Sequence, residues 1–159
     1  MKKLVVISHT EHQKDFEGNY VGWGPTVNEI NYLSQFWEEI VHVACIELDV
    51  QPRGSSIGYS SKKVTFVPIP TFGGKTILKK LDIVFKLPII LRNIRKAIKG
   101  ASHVQLRLPM GIGVFLIPYF YFQKTKNYLF WIKYSNNWES KHVPPGYKFQ
   151  RWLLKRNWL

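Results

Sequence analysis

A chain of 159 residues with 45% apolar composition can bury one core without cross-links, and its lone cysteine, Cys45, excludes an internal disulfide framework. The net charge of +13 is unevenly placed: residues 1–80 hold nine Lys/Arg against eight Asp/Glu, residues 81–159 fourteen against two. Leu4–Ile7 is too short for a signal peptide's apolar region, and the longest uncharged apolar stretch, Gly111 to Phe122, falls short of the roughly 20 residues that span a bilayer, so a cytoplasmic protein is expected.

Leu4-Val5-Val6-Ile7-Ser8 is continuously apolar, as a central parallel strand buried on both faces would be. His9 to Gly24 reads as a polar loop, long for a strand-to-helix connection and for that reason a functional candidate. Pro25 suits a first helical turn, and Val27, Ile30, Leu33, Ser34 and Trp37 recur at helical spacing, with Glu29, Glu38 and Glu39 expected on the outer side. Ile40 to Ile46 is a second strand, with Cys45 as an inert core thiol. Residues 52–56 and 58–61 read as flexible loop. Val64 to Ile69 is a short third strand, placed at a sheet edge by Pro68 and Pro70. A long helix follows from Ile77 to Lys99, to be kinked or split by Pro88 and stopped by Gly100. His103 to Leu106 is the fourth strand, Gly113 to Lys124 a helix, Tyr128 to Lys133 the fifth strand. Pro144-Pro145-Gly146 then precedes an amphipathic helix from Tyr147 to Leu159.

Strands alternating with crossover helices predict an α/β fold. It is a Rossmann-like, doubly wound parallel sheet in three layers, with helices on both faces. Right-handed crossovers put the fourth strand beside the first, where the order reverses. The loops His9–Gly24 and Arg107–Gly113 should then face one another across a crevice at the carboxyl edge. Residues 1–143 form the domain; 144–159 form a helix expected to lead to a further, C-terminal domain, since five strands are one short of the usual six.

Gly22-Trp23-Gly24-Pro25-Thr26 lacks the third glycine of a dinucleotide fingerprint and the lysine of a P-loop. It remains a glycine loop at a helix N-terminus, suited to an anion or to turn geometry alone. His9-Thr10-Glu11-His12 lacks the helical spacing of a zinc site, so no metal is expected; His9 by itself, where the central strand meets the crevice, is a polar contact or an acid/base candidate. Arg107, at the end of a buried strand, needs an anionic partner: a ligand, or a structural ion pair with Glu11 or Glu17. Lys133-Tyr134-Ser135-Asn136-Asn137-Trp138 combines amides with aromatics, as carbohydrate sites do, and makes Asn137 a further candidate. In the last helix Phe149, Trp152 and Leu153 form an apolar patch among Lys148, Arg151, Lys155 and Arg156, fit for a membrane interface or for packing on another domain.

In this order of elements the chain resembles the N-terminal, acceptor-side domain of a GT-B glycosyltransferase of the retaining family-four kind. The likeness rests on Leu4–Ser8, the Gly22-Trp23-Gly24-Pro25 loop, Val27–Ile40 leading into Val41–Ile46, and Leu91–Ile98 leading into His103–Pro109. It covers most of residues 2–138, and it is one of pattern. The histidine common at the end of that family's fifth strand is replaced by Lys133-Tyr134-Ser135. The donor-binding E-x₇-E motif belongs to a C-terminal domain outside this chain. The resemblance implies transfer of a sugar from a nucleotide-sugar donor to a glycan or lipid-linked acceptor in cell-envelope or capsular polysaccharide synthesis. It implies no cofactor in this domain, and a peripheral site on an anionic membrane. His9, Gly22, Gly24, Arg107 and Asn137 are the expected substrate contacts, and no catalytic residue is assigned. A stand-alone module that recruits an anionic partner is the alternative. Nucleic acid is not expected, since no RRM, KH or helix-turn-helix signature is present.

Overall fold

The computed structural model describes residues 2–48, 50–73, 77–123, 127–140 and 142–156, the side chains of 77–81 excepted. In chain order the elements are β1 (Lys3–Ile7), β2 (His12–Lys14), β3 (Tyr20–Trp23), α1 (Gly24–Leu33), β4 (Glu39–Ile46), β5 (Ser56–Gly58) and β6 (Val64–Pro70). They continue with α2 (Ile77–Ile98), β7 (His103–Leu108), α3 (Gly113–Phe122), β8 (Leu129–Tyr134) and α4 (Pro145–Lys155).

Five parallel strands make the body of the sheet in the order β6-β4-β1-β7-β8. This is the Rossmann-like arrangement, with β1 at the centre and the order reversing between β1 and β7. Alternation along β1 explains why it is apolar throughout. Val5 and Ile7 join the larger core with Ile83, Ile90 and Ile94 of α2, Leu116 and Phe120 of α3 and Leu153 of α4. Leu4 and Val6 face the other way, onto Ile30 of α1. Helices therefore cover both faces, but unequally. One face carries three helices; the other has only α1, which covers part of it.

That inequality is written into β7. His103, Gln105 and Arg107 alternate with buried Val104, Leu106 and Leu108, so the strand presents polar groups on the α1 side. Lys133 of β8 stands in register with Arg107 and extends the same polar row.

Several expected boundaries change. The predicted loop 9–24 contains β2 and β3, an antiparallel pair that joins β4 by one bridge, His12 to Ile46. β5, inside the predicted flexible loop, pairs with β3, so three short strands are added to the five expected. α1 stops at Leu33, where the backbone N–H of Ser34 donates to the Ile30 carbonyl and that of Gln35 to the Tyr32 carbonyl; Trp37 reaches the smaller core from outside the helix. Pro88 lies within an unbroken α2, not between two helices. β6 is an edge strand, as its prolines require, and Asn93 Nδ2 caps its Pro68 carbonyl at 3.0 Å. The predicted helix end at Lys124 and the last residues, 157–159, lie outside the described residues. Among the described residues no helix is long and apolar enough to cross a membrane.

Candidate functional site

Parallel strands that diverge from a reversal point leave a gap at their carboxyl ends that no connection crosses. Here the gap between β1 and β7 is a crevice of about 330 Å³. Ser8, His9 and Thr10 floor it after β1, with Arg107 and Leu108 at the end of β7 and Pro109 just after it. Lys133 and Ser135 come from β8; Trp23, Pro25, Thr26 and Glu29 form the α1 wall. A larger hollow of about 700 Å³ opens near Gly100 and Tyr128 at the opposite edge, away from the reversal point; there Tyr128 donates to Gln123, and Ser102 to the carbonyl of Lys3.

Of the expected contacts, His9 and Arg107 meet in this crevice. His9 is exposed, stacked on Phe72 with centroids 4.7 Å apart and planes 14° from parallel. Partial desolvation pulls its pKa below the ordinary value, and Glu11 opposes the shift. Arg107 is 9% exposed; its Nε donates to Gln105 Oε1 at 2.9 Å, and its Nη2 lies 3.1 Å from Glu29 Oε1. The partner is thus Glu29, not Glu11 or Glu17: Glu11 pairs with Arg53, and Glu17 accepts from Asn19. Glu29 turns toward the crevice instead of the outer side, because Lys133 Nζ also reaches its Oε1, at 2.6 Å. Two cations share one carboxylate oxygen, leaving the local balance at +1.

The glycines sit beside the crevice for packing reasons. A Cβ on Gly22 would stand 2.4 Å from His12 Nε2, and one on Gly24 2.8 Å from the Ser55 carbonyl, which accepts the Gly24 N–H. The close approach they permit is to His12 and to the chain before β5. Asn137 lies in the exposed turn after β8, where its Oδ1 accepts the Glu139 N–H, away from the crevice lining.

Beneath the floor lies a buried polar chain. His12 Nδ1–H donates to the Thr10 carbonyl at 3.0 Å, so its Nε2 accepts the Tyr59 hydroxyl at 2.7 Å. The Tyr59 oxygen then accepts His42 Nδ1–H at 2.5 Å, and His42 Nε2 accepts the Ser8 hydroxyl at 2.8 Å. The Thr10 N–H donates back to Ser8 Oγ at 3.2 Å. Each step fixes the next, and both imidazoles are neutral. Desolvation holds His12 down at about 4 and His42 well below its ordinary value, with the neighbouring His12 and Arg107 charges adding to the latter. Burial likewise pushes the Cys45 thiol up to about 12. Ser8 and His42 have the composition of a nucleophile and its base. With Ser8 2% exposed and His42 sealed, they instead brace the crevice floor. Both His12 nitrogens are engaged, and among the described residues no cluster of His, Cys, Asp or Glu could hold a metal ion.

The far wall is fixed by α4. Gln150, fully buried, donates to the Met110 carbonyl at 2.8 Å and accepts the Met110 N–H at 3.4 Å; a Cβ on Gly113 would fall 2.5 Å from its Oε1. Arg151 donates to the carbonyls of Trp138 and Ser140. Phe149 and Trp152 stay nearly half exposed on the other side, stacked at 5.6 Å with the Arg156 guanidinium over Trp152.

Sequence reasoning missed Gln105, Glu29 and Tyr59, and took Asn137 rather than Lys133 from the run that begins at Lys133. Gln105 carried a signal, lying two residues from Arg107 in an apolar strand. Glu29 and Tyr59 carried none, since only the fold turns them inward. No protein-family model matches the chain, and no curated protein or solved structure shows significant similarity to it.

Proposed function

We propose that this chain is the acceptor-side domain of a GT-B-type glycosyltransferase, moving a sugar from a nucleotide-sugar donor to a glycan or lipid-linked acceptor in cell-envelope or capsular polysaccharide synthesis. The observation that carries the reading is the crevice at the reversal point between β1 and β7. It combines an exposed indole, Trp23, with hydrogen-bonding and cationic groups at His9, Thr10, Arg107 and Lys133. A sugar presents apolar C–H faces and a rim of hydroxyls. An aromatic plane beside convergent donors and acceptors matches both. His9 and Arg107 contact the acceptor in this reading. Gly22 and Gly24 shape its wall, and Asn137 is not used. The donor belongs to a second domain, and no catalytic base is assigned here.

The test is an amide chemical-shift titration of the 159-residue chain with a short-chain polyprenyl-diphosphate saccharide and, separately, with nucleotide sugars. Shifts at Ser8–Glu11 and Thr26 with the saccharide, and none with nucleotide sugar alone, are expected. Nucleotide sugars moving these amides while no glycan does would sink the acceptor assignment.

One observation favours a second reading, a module that recruits an anionic surface: the exposed Phe149–Trp152 pair ringed by Lys148, Lys155 and Arg156. The two readings are compatible, since a lipid-linked acceptor resides at a membrane.

A further inference from the structure

Arg107 has been removed from water with less compensation than a buried guanidinium requires. It is 9% exposed, and its Nη2, although 3.1 Å from Glu29 Oε1, is not aligned for a hydrogen bond with any group. Lys133 competes for the same carboxylate oxygen from 2.6 Å. Burying a cation is costly unless it is both paired and hydrogen-bonded. One monoanion divided between two cations meets neither condition in full.

A third source of positive potential adjoins them. α1 begins with no side-chain cap from Trp23; the Gly24 N–H is taken by the Ser55 carbonyl and Pro25 has none, so the helix end adjoins the crevice at Thr26, which lines it, without a capping side chain. The unsatisfied guanidinium nitrogen, the half-exposed lysine and this helix end converge on one place.

We propose that the crevice holds a phosphate clamp for which Glu29 is the resident counter-ion. A phosphate dianion carried by the ligand displaces the Glu29 carboxylate, takes the fork of Arg107 and the point charge of Lys133, and balances both cations. A carboxylate ligand would only restore the balance that Glu29 already provides. Glu29 can leave: its side chain is one-third exposed and stands on a helix surface beside solvent. The inference rests on the acceptor reading above and narrows it to acceptors that carry phosphate close to the sugar.

The experiment is calorimetric titration of the full chain and its variants with inorganic phosphate at low salt. Glu29→Gln removes the competing charge and should bind phosphate about tenfold more tightly than wild type; Lys133→Met should bind about tenfold more weakly. Both side chains are more than a third exposed, so neither change breaches the core. Arg107→Lys keeps the charge but loses the fork, and should weaken binding at least as much. Phosphate that binds Glu29→Gln no better than wild type, or Lys133→Met no worse, overturns the clamp, as does a wild type and Glu29→Gln that both fail to bind. Repeating the series with a polyprenyl phosphate in micelles and with a nucleoside diphosphate separates the sources. A Glu29→Gln gain for the lipid phosphate supports an acceptor phosphate. A gain only for the nucleotide overturns the acceptor assignment and leaves an anion site. An acceptor saccharide that binds wild type, Glu29→Gln and Lys133→Met alike removes the clamp while leaving the acceptor domain standing.

Discussion

Tyr59 ties the two buried histidines together through a single oxygen, so its hydroxyl matters more than its ring. Tyr59→Phe leaves His42 Nδ1 and His12 Nε2 without partners in a sealed site. Each orphaned group costs about 1–3 kcal/mol, so a loss of about 2–6 kcal/mol is expected in urea unfolding. A variant within experimental error of wild type would show that water replaces the hydroxyl. The same histidines set a pH dependence. Their folded pKa values lie below the unfolded value near 6.5, so between about 4 and 6.5 the unfolded chain binds more protons. Stability is full above that window and falls as pH drops through it; His12 alone accounts for about 3 kcal/mol. Urea midpoints at pH 7.0 and 4.5 check the sign, and equal midpoints would contradict neutral imidazoles in the folded state.

At the scale of elements, α2 holds an internal contradiction. Its buried positions, Ile83, Ile90, Ile94 and Ala97, keep one stripe against the sheet through a proline that cannot donate to the preceding turn. Packing of that stripe on both sides of Pro88 keeps the helix whole where local propensity would break it. Because Pro88 is exposed, Pro88→Ala should raise stability by about 1–3 kcal/mol, a gain readable as a higher melting temperature. A lowered one would mean that a bend at this residue is required for the fit. The elements legible in sequence were β1, β4, β6, β7 and β8, which showed as apolar runs between turn residues, and the helices, which showed by their period. β2, β3 and β5 were not, because three or four residues carry no period and their pairing, such as Gly22 with Ile57, depends on distant chain. Arg107 was legible as a charge inside an apolar strand. Its partner was not, since Glu29 faces the crevice only because β7 and β8 place two cations opposite it. The glycines were read as a loop for an anion or for turn geometry alone; the groups that approach them in the fold, His12 and the Ser55 carbonyl, belong to the protein itself.

For the whole molecule, the charge asymmetry follows the fold. The basic half of the chain supplies most of α2 and all of α4, on the side of the sheet opposite α1, together with β7 and β8, whose Arg107 and Lys133 reach Glu29 of α1, while most of the acidic residues belong to the half that contains α1 and the strands around it. The Lys and Arg side chains of α4 beside its exposed aromatic pair predict binding to vesicles containing anionic phosphatidylglycerol, weakened by salt, and not to neutral phosphatidylcholine vesicles. In co-sedimentation, Phe149→Ala with Trp152→Ala should cut that binding severalfold. An unchanged sedimented fraction would move the membrane contact away from α4.

Two neighbouring side chains of α4 point to two different loops. Gln150 grips the segment after β7, and Arg151 the segment after β8. These segments continue from Pro109 and Ser135, which wall the crevice. The helix is therefore a rein with both lines already taut, and its outward face is the one with the stacked aromatics. That face and the crevice walls are thus joined through one helix, by the side chains of two consecutive residues.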